Sequence, residues 1–167
     1  ACAQQGDATR AEQWFKWMEE GQVQPVVPSY SSVINACAQQ GDAKRAEQWF
    51  KRMEEAHVQP DVTSYSCVIN ACAQAGDVKR AEQWFKWMEE AQVQPNVTSY
   101  NSVIKTCAQV GDEKRAEQWF KWMREAQVQP DVASYTSVIN ACAQQGDMKR
   151  GDVKRAEQWF KWMEEAQ

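Results

Sequence analysis

Four short stretches, QPVVPSYS (24–31), QPDVTSYS (59–66), QPNVTSYN (94–101) and QPDVASYT (129–136), recur at intervals of 35 residues. Each keeps Gln-Pro, a valine and Ser-Tyr. Three places change: the residue after the proline, the one before the serine and the one after the tyrosine. Among them, hydrogen-bonding chemistry is carried by Ser31, Ser66, Asn101 and Thr136 after the tyrosine, and by Asp61, Asn96 and Asp131 after the proline. A hydroxyl donates one proton and accepts on two lone pairs, an amide both donates and accepts, and a carboxylate only accepts. Two such groups at a fixed pitch along one groove would make a reader of a linear ligand. The plainer alternative is that Asp and Asn ahead of a helix are N-caps, with neutral drift at an exposed first-turn position after the tyrosine.

The other reactive side chains form no catalytic pattern. Cys2, Cys37, Cys72, Cys107 and Cys142 keep the 35-residue period inside Ala-Cys-Ala-Gln or Thr-Cys-Ala-Gln, and only Cys67 is off pattern. No pair has the CxxC spacing of a zinc or redox site, and His57 is the single histidine. Small buried thiols in a reducing compartment account for this usage. No His-carboxylate or Cys-His arrangement, metal cluster or phosphate loop stands in the sequence. The expectation is therefore no enzyme, no cofactor, no metal and no small-molecule substrate. A net charge of −4 opposes a bulk electrostatic attraction to nucleic acid. No apolar run approaches the roughly 18 residues of a membrane span, and the first residues carry no signal-peptide pattern.

The elements that must position these groups follow from the repeat. In residues 62–96, Tyr65, Val68, Ile69, Cys72 and Ala73 make an i, i+3, i+4, i+7, i+8 stripe, which predicts a first helix. Gly76 suits a left-handed C-cap, and Asp77 an N-cap for a second helix. That helix puts Ala81, Trp84, Phe85 and Met88 on one face and stops in a Gln-rich turn before Pro95. Trp14, Trp49, Trp84 and Trp119 share the core position by period.

A lone amphipathic pair cannot bury its apolar faces, whereas a stack can. The expected class is all-α, a solenoid of stacked helix-turn-helix repeats. The divisions are a partial repeat at 1–26, repeats at 27–61, 62–96 and 97–131, and a last repeat at 132–167, in one continuous domain. The sequence reads as an excerpt of a longer array. At GDMKRGDVKR (146–155) the period slips, with Trp159 falling 40 residues after Trp119. Omission of most of a repeat between Arg150 and Gly151 is the expectation, and a Cα separation of about 3.8 Å there would contradict it.

The motifs V-x-S-Y-x-x-V-I-x-A, A-G-D, A-E-x-W-F-x-x-M and V-x-P-D, in a 35-residue unit, resemble the pentatricopeptide repeat, and the resemblance covers essentially the whole chain. It implies a right-handed superhelix that binds single-stranded RNA, one base per repeat, in a mitochondrion or plastid. By that resemblance the residue after the tyrosine and the residue after the next proline contact the base edge. Ser31 with Asp61 then resembles a guanine reader, Ser66 with Asn96 an adenine reader and Asn101 with Asp131 a uracil reader, while Thr136 implies a purine. The implied core is 5′-G-A-U-purine-3′. Pro28, Thr63, Thr98 and Ala133 would pack on base faces. Val26 departs from the expected Asp or Asn.

Where the family commonly has a phosphate-facing lysine, this sequence has Gln4, Gln39, Gln74, Gln109 and Gln144, which reduces the counterion-release contribution. Lys44, Arg45, Lys79, Arg80, Lys114 and Arg115 are the compensating candidates, and a solvated charged face is their alternative. Trp17, Trp87, Trp122 and Trp162 follow the core tryptophans by three residues. They form a candidate protein-docking row, with packing between successive second helices as the alternative. The competing function is therefore a scaffold within a larger organellar complex. A designed consensus array would also fit the near-identity of the repeats, against which stand the retained Cys and Met residues and the irregular junction.

Overall fold

A computed structural model describes residues 7–144 and Lys161. The helices are α1 (Ala8–Glu20), α2 (Val27–Gln39), α3 (Ala43–Glu55), α4 (Val62–Gln74), α5 (Val78–Glu90), α6 (Val97–Gln109), α7 (Glu113–Glu125) and α8 (Val132–Gln144). No strand occurs among the described residues. They belong to two compact units, Ala1–Gln94 with α1–α5 and Pro95–Gln167 with α6–α8. The 146–155 junction and Trp162 lie outside the described residues, as do Cys2, Gln4 and the end of the last repeat.

One Gly-Asp step both ends the first helix of a pair and starts the second. Gly41, Gly76 and Gly111 have φ of +70°, +72° and +75°, the left-handed region that glycine enters without steric cost. A Cβ on any of them would meet nothing within 4 Å, so backbone conformation and not crowding demands glycine. The Gly41 N–H donates to the Ala38 carbonyl at 2.9 Å and the Asp42 N–H to the Cys37 carbonyl at 3.1 Å, a Schellman closure. Asp42 then caps α3 by accepting from the Arg45 N–H at 3.0 Å, and Asp77 and Asp112 repeat the bond.

The second helices stop at the short turn ahead of each proline, as the sequence reading places them. α5 ends at Glu90, and Gln92 adopts φ +59°. The Gln92 N–H reaches the Glu89 carbonyl at 2.8 Å, and the Val93 N–H reaches the Met88 carbonyl at 3.0 Å. Gln22, His57 and Gln127 repeat this left-handed conformation at +55°, +55° and +59°. Here a residue with a Cβ does what glycine does elsewhere. His57→Gly is expected to stabilise the chain by about 0.5–1 kcal/mol, because relieved strain exceeds the added unfolded-state entropy. A lower urea midpoint for that variant would contradict this.

First helices meet through small residues and second helices through large ones. α2 packs on α4, and α6 on α8, with Ala36, Cys37, Ala38, Cys72, Ala73 and Ala108 buried. Phe15 packs edge-on to Tyr30 at 4.8 Å and Trp49 at 4.7 Å, and Phe50 does the same with Tyr65 and Trp84, both at 4.8 Å. Tyr30, Tyr65, Tyr100 and Tyr135 are buried core residues.

Trp14 breaks the pattern. Trp49, Trp84 and Trp119 are 8–9% exposed, whereas Trp14 is 55% exposed. Trp49 and Trp84 bury against the phenylalanine of the preceding second helix, Phe15 and Phe50.

Candidate nucleic-acid interface

The residues after each proline are N-caps. Asp61, Asn96 and Asp131 each accept from the backbone N–H three residues on, at Ser64, Ser99 and Ser134, at 2.9, 3.1 and 2.9 Å. Val26 has no capping side chain, and Ser29 Oγ instead accepts from the Val26 N–H at 3.3 Å. Capping anchors these side chains at the start of a first helix. Within a unit, the stacking of first helices brings up the variable residue of the preceding repeat.

In the second unit the two variable positions touch. Asn101 Nδ2 donates to Asp131 Oδ1 at 2.9 Å across 30 residues of chain. Ser134 joins them, with its Oγ 2.6 Å from Asn101 Oδ1 and 2.9 Å from Asp131 Oδ1. Burial would raise the Asp131 carboxyl, but the bonds from Asn101 and Ser134 outweigh it and hold it below the usual aspartate value. The carboxylate is therefore an acceptor at any pH near neutrality.

In the first unit the link between Ser31 and Asp61 is indirect. Ser31 Oγ lies 2.9 Å from Ser64 Oγ, which donates to Asp61 Oδ1 at 2.9 Å. Ser31 is 6% exposed, so a ligand approaching it meets a narrow edge. Ser66, in the first unit, is buried. Asn96, in the second, is exposed and accepts from Ser99 Oγ at 3.2 Å. Thr136 is exposed, as are Pro28, Thr63, Thr98 and Ala133 at the second residue of each first helix.

The basic candidates divide by what they touch. Arg45 forks onto Glu12, with Nε to Oε1 at 2.6 Å and Nη2 onto Oε2, and Trp49 Nε1 donates to the same carboxylate at 2.7 Å. Glu47 takes the same three bonds from Arg80 and Trp84. These arginines thus clasp successive second helices. Burial alone would raise the Glu12 carboxyl, but the bonds from Arg45 and Trp49 reverse the direction and lower it. Lys44, Lys79 and Lys114 are exposed, and Arg115 is half-buried.

Trp17, Trp87 and Trp122 are 48%, 43% and 43% exposed. Each stands edge-on to its neighbouring tryptophan, at 4.9 Å from Trp14, Trp84 and Trp119. Arg52, in the same place of α3, bonds Glu19 at 2.6 and 2.7 Å and lies 4.8 Å from the Trp49 ring centre.

Burial pushes the thiols of Cys37 and Cys67 up to about 11 and that of Cys72 up to about 12, which keeps them protonated and unreactive. Among the described residues, Glu113, Glu117 and Cys142 bring possible ligand atoms within 4.8 Å of one another. The Glu-Cys part of that cluster recurs as Glu47 with Cys72 at 3.9 Å and so belongs to the repeat. No described helix is long and apolar enough to cross a membrane.

Two residues central to this geometry carry no obvious mark in the sequence. Ser64 and Ser134 stand in an unchanging Ser-Tyr beside changing neighbours, and that contrast is the one available signal. Glu12 and Glu47 likewise stand in an unchanging Ala-Glu.

Stacked helical pairs, with polar groups meeting across repeats at the starts of α4 and α8, define an α-solenoid. A family model described as the pentacotripeptide-repeat region of PRORP matches residues 1–116 and 29–156, and the chain belongs to the pentatricopeptide-repeat family. Among solved structures, PPR10 in complex with an 18-nt psaJ RNA element superposes with a TM-score of 0.78 at 23% identity, over 96% of this chain and 23% of that one. PPR10 from maize gives 0.73 at 22% identity, over 98% of this chain and 24% of that one. The PPR domain of Arabidopsis thaliana protein-only RNase P 1 in complex with tRNA gives 0.76 at 17% identity, over 98% of this chain and 84% of that one. The chain thus spans about a quarter of PPR10's length. A comparison with curated proteins finds no match.

Proposed function

We propose that the chain captures single-stranded RNA by sequence, one base per repeat, with a core of 5′-G-A-U-purine-3′. The observation that carries this reading is the 2.9 Å bond between Asn101 and Asp131. It joins two of the positions that vary between repeats, at the exposed start of a first helix. Unstacked bases offer Watson–Crick edges to such paired groups. Ser31 with Asp61 takes guanine, Ser66 with Asn96 adenine, Asn101 with Asp131 uracil, and Thr136 a purine. Pro28, Thr63, Thr98 and Ala133 supply small surfaces against base faces. No base is assigned to the repeat that carries Val26.

Lys44, Lys79 and Lys114 are the better phosphate partners, since Arg45 and Arg80 are engaged by Glu12 and Glu47. So few cations make affinity depend on base contacts more than on charge, which predicts a shallow salt dependence. The structures superposed on the chain include one with an RNA element and one with tRNA, which supports an RNA ligand. The setting that family membership favours is a mitochondrion or plastid, where the chain holds an RNA and any chemistry belongs to a partner.

Fluorescent RNAs containing GAUA or GAUG are expected to bind more tightly than scrambled RNAs at both of two salt concentrations. Equal binding of all sequences would remove the reading. The exposed Trp17, Trp87 and Trp122 favour a second reading, a scaffold that holds protein on its second-helix face. Retained binding to a protein complex with no RNA preference would establish it.

A further inference from the structure

In three of the four repeats the serine before the core tyrosine is fully enclosed: Ser64, Ser99 and Ser134 have 0% exposure, whereas Ser29 is half-buried. In two seams its hydroxyl touches both variable positions, as Ser64 does with Ser31 and Asp61 and Ser134 with Asn101 and Asp131. We infer that Ser64 and Ser134 are positioning residues that decide which hydrogen-bonding groups Ser31 and Asn101 present to a base. This inference rests on the RNA reading above and adds a third residue to each reading pair.

The polarity follows from counting protons. A seryl hydroxyl has one, and a carboxylate accepts only. Ser64 therefore gives its proton to Asp61 Oδ1, and the 2.9 Å contact between Ser31 and Ser64 needs Ser31 as donor. Ser31 is left with lone pairs, the complement of the N–H groups on the Watson–Crick edge of guanine.

At the Asn101 seam the proton goes the other way. Asp131 Oδ1 already receives Asn101 Nδ2 and the Ser134 N–H, each at 2.9 Å. Asn101 Oδ1 has the Ser134 hydroxyl at 2.6 Å, closer than the 2.9 Å from that hydroxyl to Asp131, so Ser134 donates to Asn101. The amide is locked with its oxygen toward Ser134 and its nitrogen toward Asp131. One N–H and one lone pair remain outward, the complement of O4 and N3–H of uracil. Without the hydroxyl the amide plane loses one of its two anchors. The χ2 torsion of asparagine is soft, so donor and acceptor can then exchange places.

The test uses the full chain and fluorescent RNAs that differ only at the first or third base of the G-A-U-purine core. The wild-type chain is expected to prefer uracil at the third base. In Ser134→Ala that preference falls by about tenfold, the worth of one such bond, while the preference for guanine at the first base stays. Ser134→Thr, which keeps the hydroxyl, restores the third-base preference. Ser64→Ala shows the converse pattern and reads the same idea at a second seam should Ser134→Ala fold poorly. Ser29→Ala controls for capping: it removes the bond to the Val26 N–H and lowers the melting temperature without altering either preference. A full third-base preference in folded Ser134→Ala overturns the inference and leaves the RNA reading standing. A wild-type chain with no base preference overturns the reading and the inference together.

Discussion

Phe50→Ala is expected to lower unfolding free energy by about 3–5 kcal/mol, the range for truncating a buried phenylalanine, and to be the most damaging single truncation in the first unit. Phe50 is 1% exposed, and its ring serves three helices at once. It belongs to α3, meets Tyr65 of α4 at 4.8 Å and meets Trp84 of α5 at 4.8 Å. Trp84 in turn donates to Glu47, which also holds Arg80. The truncation therefore leaves a cavity between one helical pair and the next and loosens the clasp that joins them. In a repeat protein, stability is approximately a sum of repeat and neighbour-interface contributions, so the urea transition should broaden as well as shift. Trp87→Ala is the comparison. Trp87 is 43% exposed and meets Trp84 edge-on, a contact worth about 0.5–1.5 kcal/mol. If the two variants lost equal stability, the division between core and flanking aromatics would be wrong.

Local and long-range signals agree at the core positions, which makes that division legible in the sequence. Trp84, Phe85 and Met88 fall on one face by spacing, and all three are buried. Gly76 and Asp77 announce a helix end and a helix start, and the backbone bears out both with φ +72° and a bond to the Arg80 N–H. The place where each second helix ends is legible as the short turn ahead of the proline, but the means of closure is not: Gln92 and His57 hold left-handed backbone conformations that their side chains do not advertise.

The candidate site is legible in part. Variation at Asn101 and Asp131 marks the positions, yet only stacking of first helices shows that the two groups bond each other. Ser134 gives no sign of its role, because its partners sit 3 and 33 residues away and are joined by one hydroxyl. Arg45 and Arg80 look like phosphate ligands beside their lysines, but the carboxylates that hold them lie one repeat back, at Glu12 and Glu47. Spacing within a single repeat carries no trace of a bond made between repeats.

Asn101→Thr is expected to move the preferred third base from uracil toward guanine. The substitution leaves the fold's supports in place: Asp131 still caps α8 through the Ser134 N–H, and Asn101 is only half-buried. What changes is the direction of one proton. With the amide gone, Asp131 loses its Nδ2 donor, and the Ser134 hydroxyl, 2.9 Å away, turns to supply that charge-assisted bond. The new threonine hydroxyl must then donate to Ser134, as Ser31 donates to Ser64, and it faces the groove as an acceptor. The expected swing is about 1–3 kcal/mol of discrimination between the two bases, the range of a good paired contact. It is measured by competing RNAs that differ only at that base against the wild-type and variant chains. Asp131→Ala provides the contrast, because it should lose the cap, worth about 1 kcal/mol, and also the discrimination, with no new preference gained. A variant that kept uracil would show that the residue after the tyrosine does not set the base, whatever holds it in place.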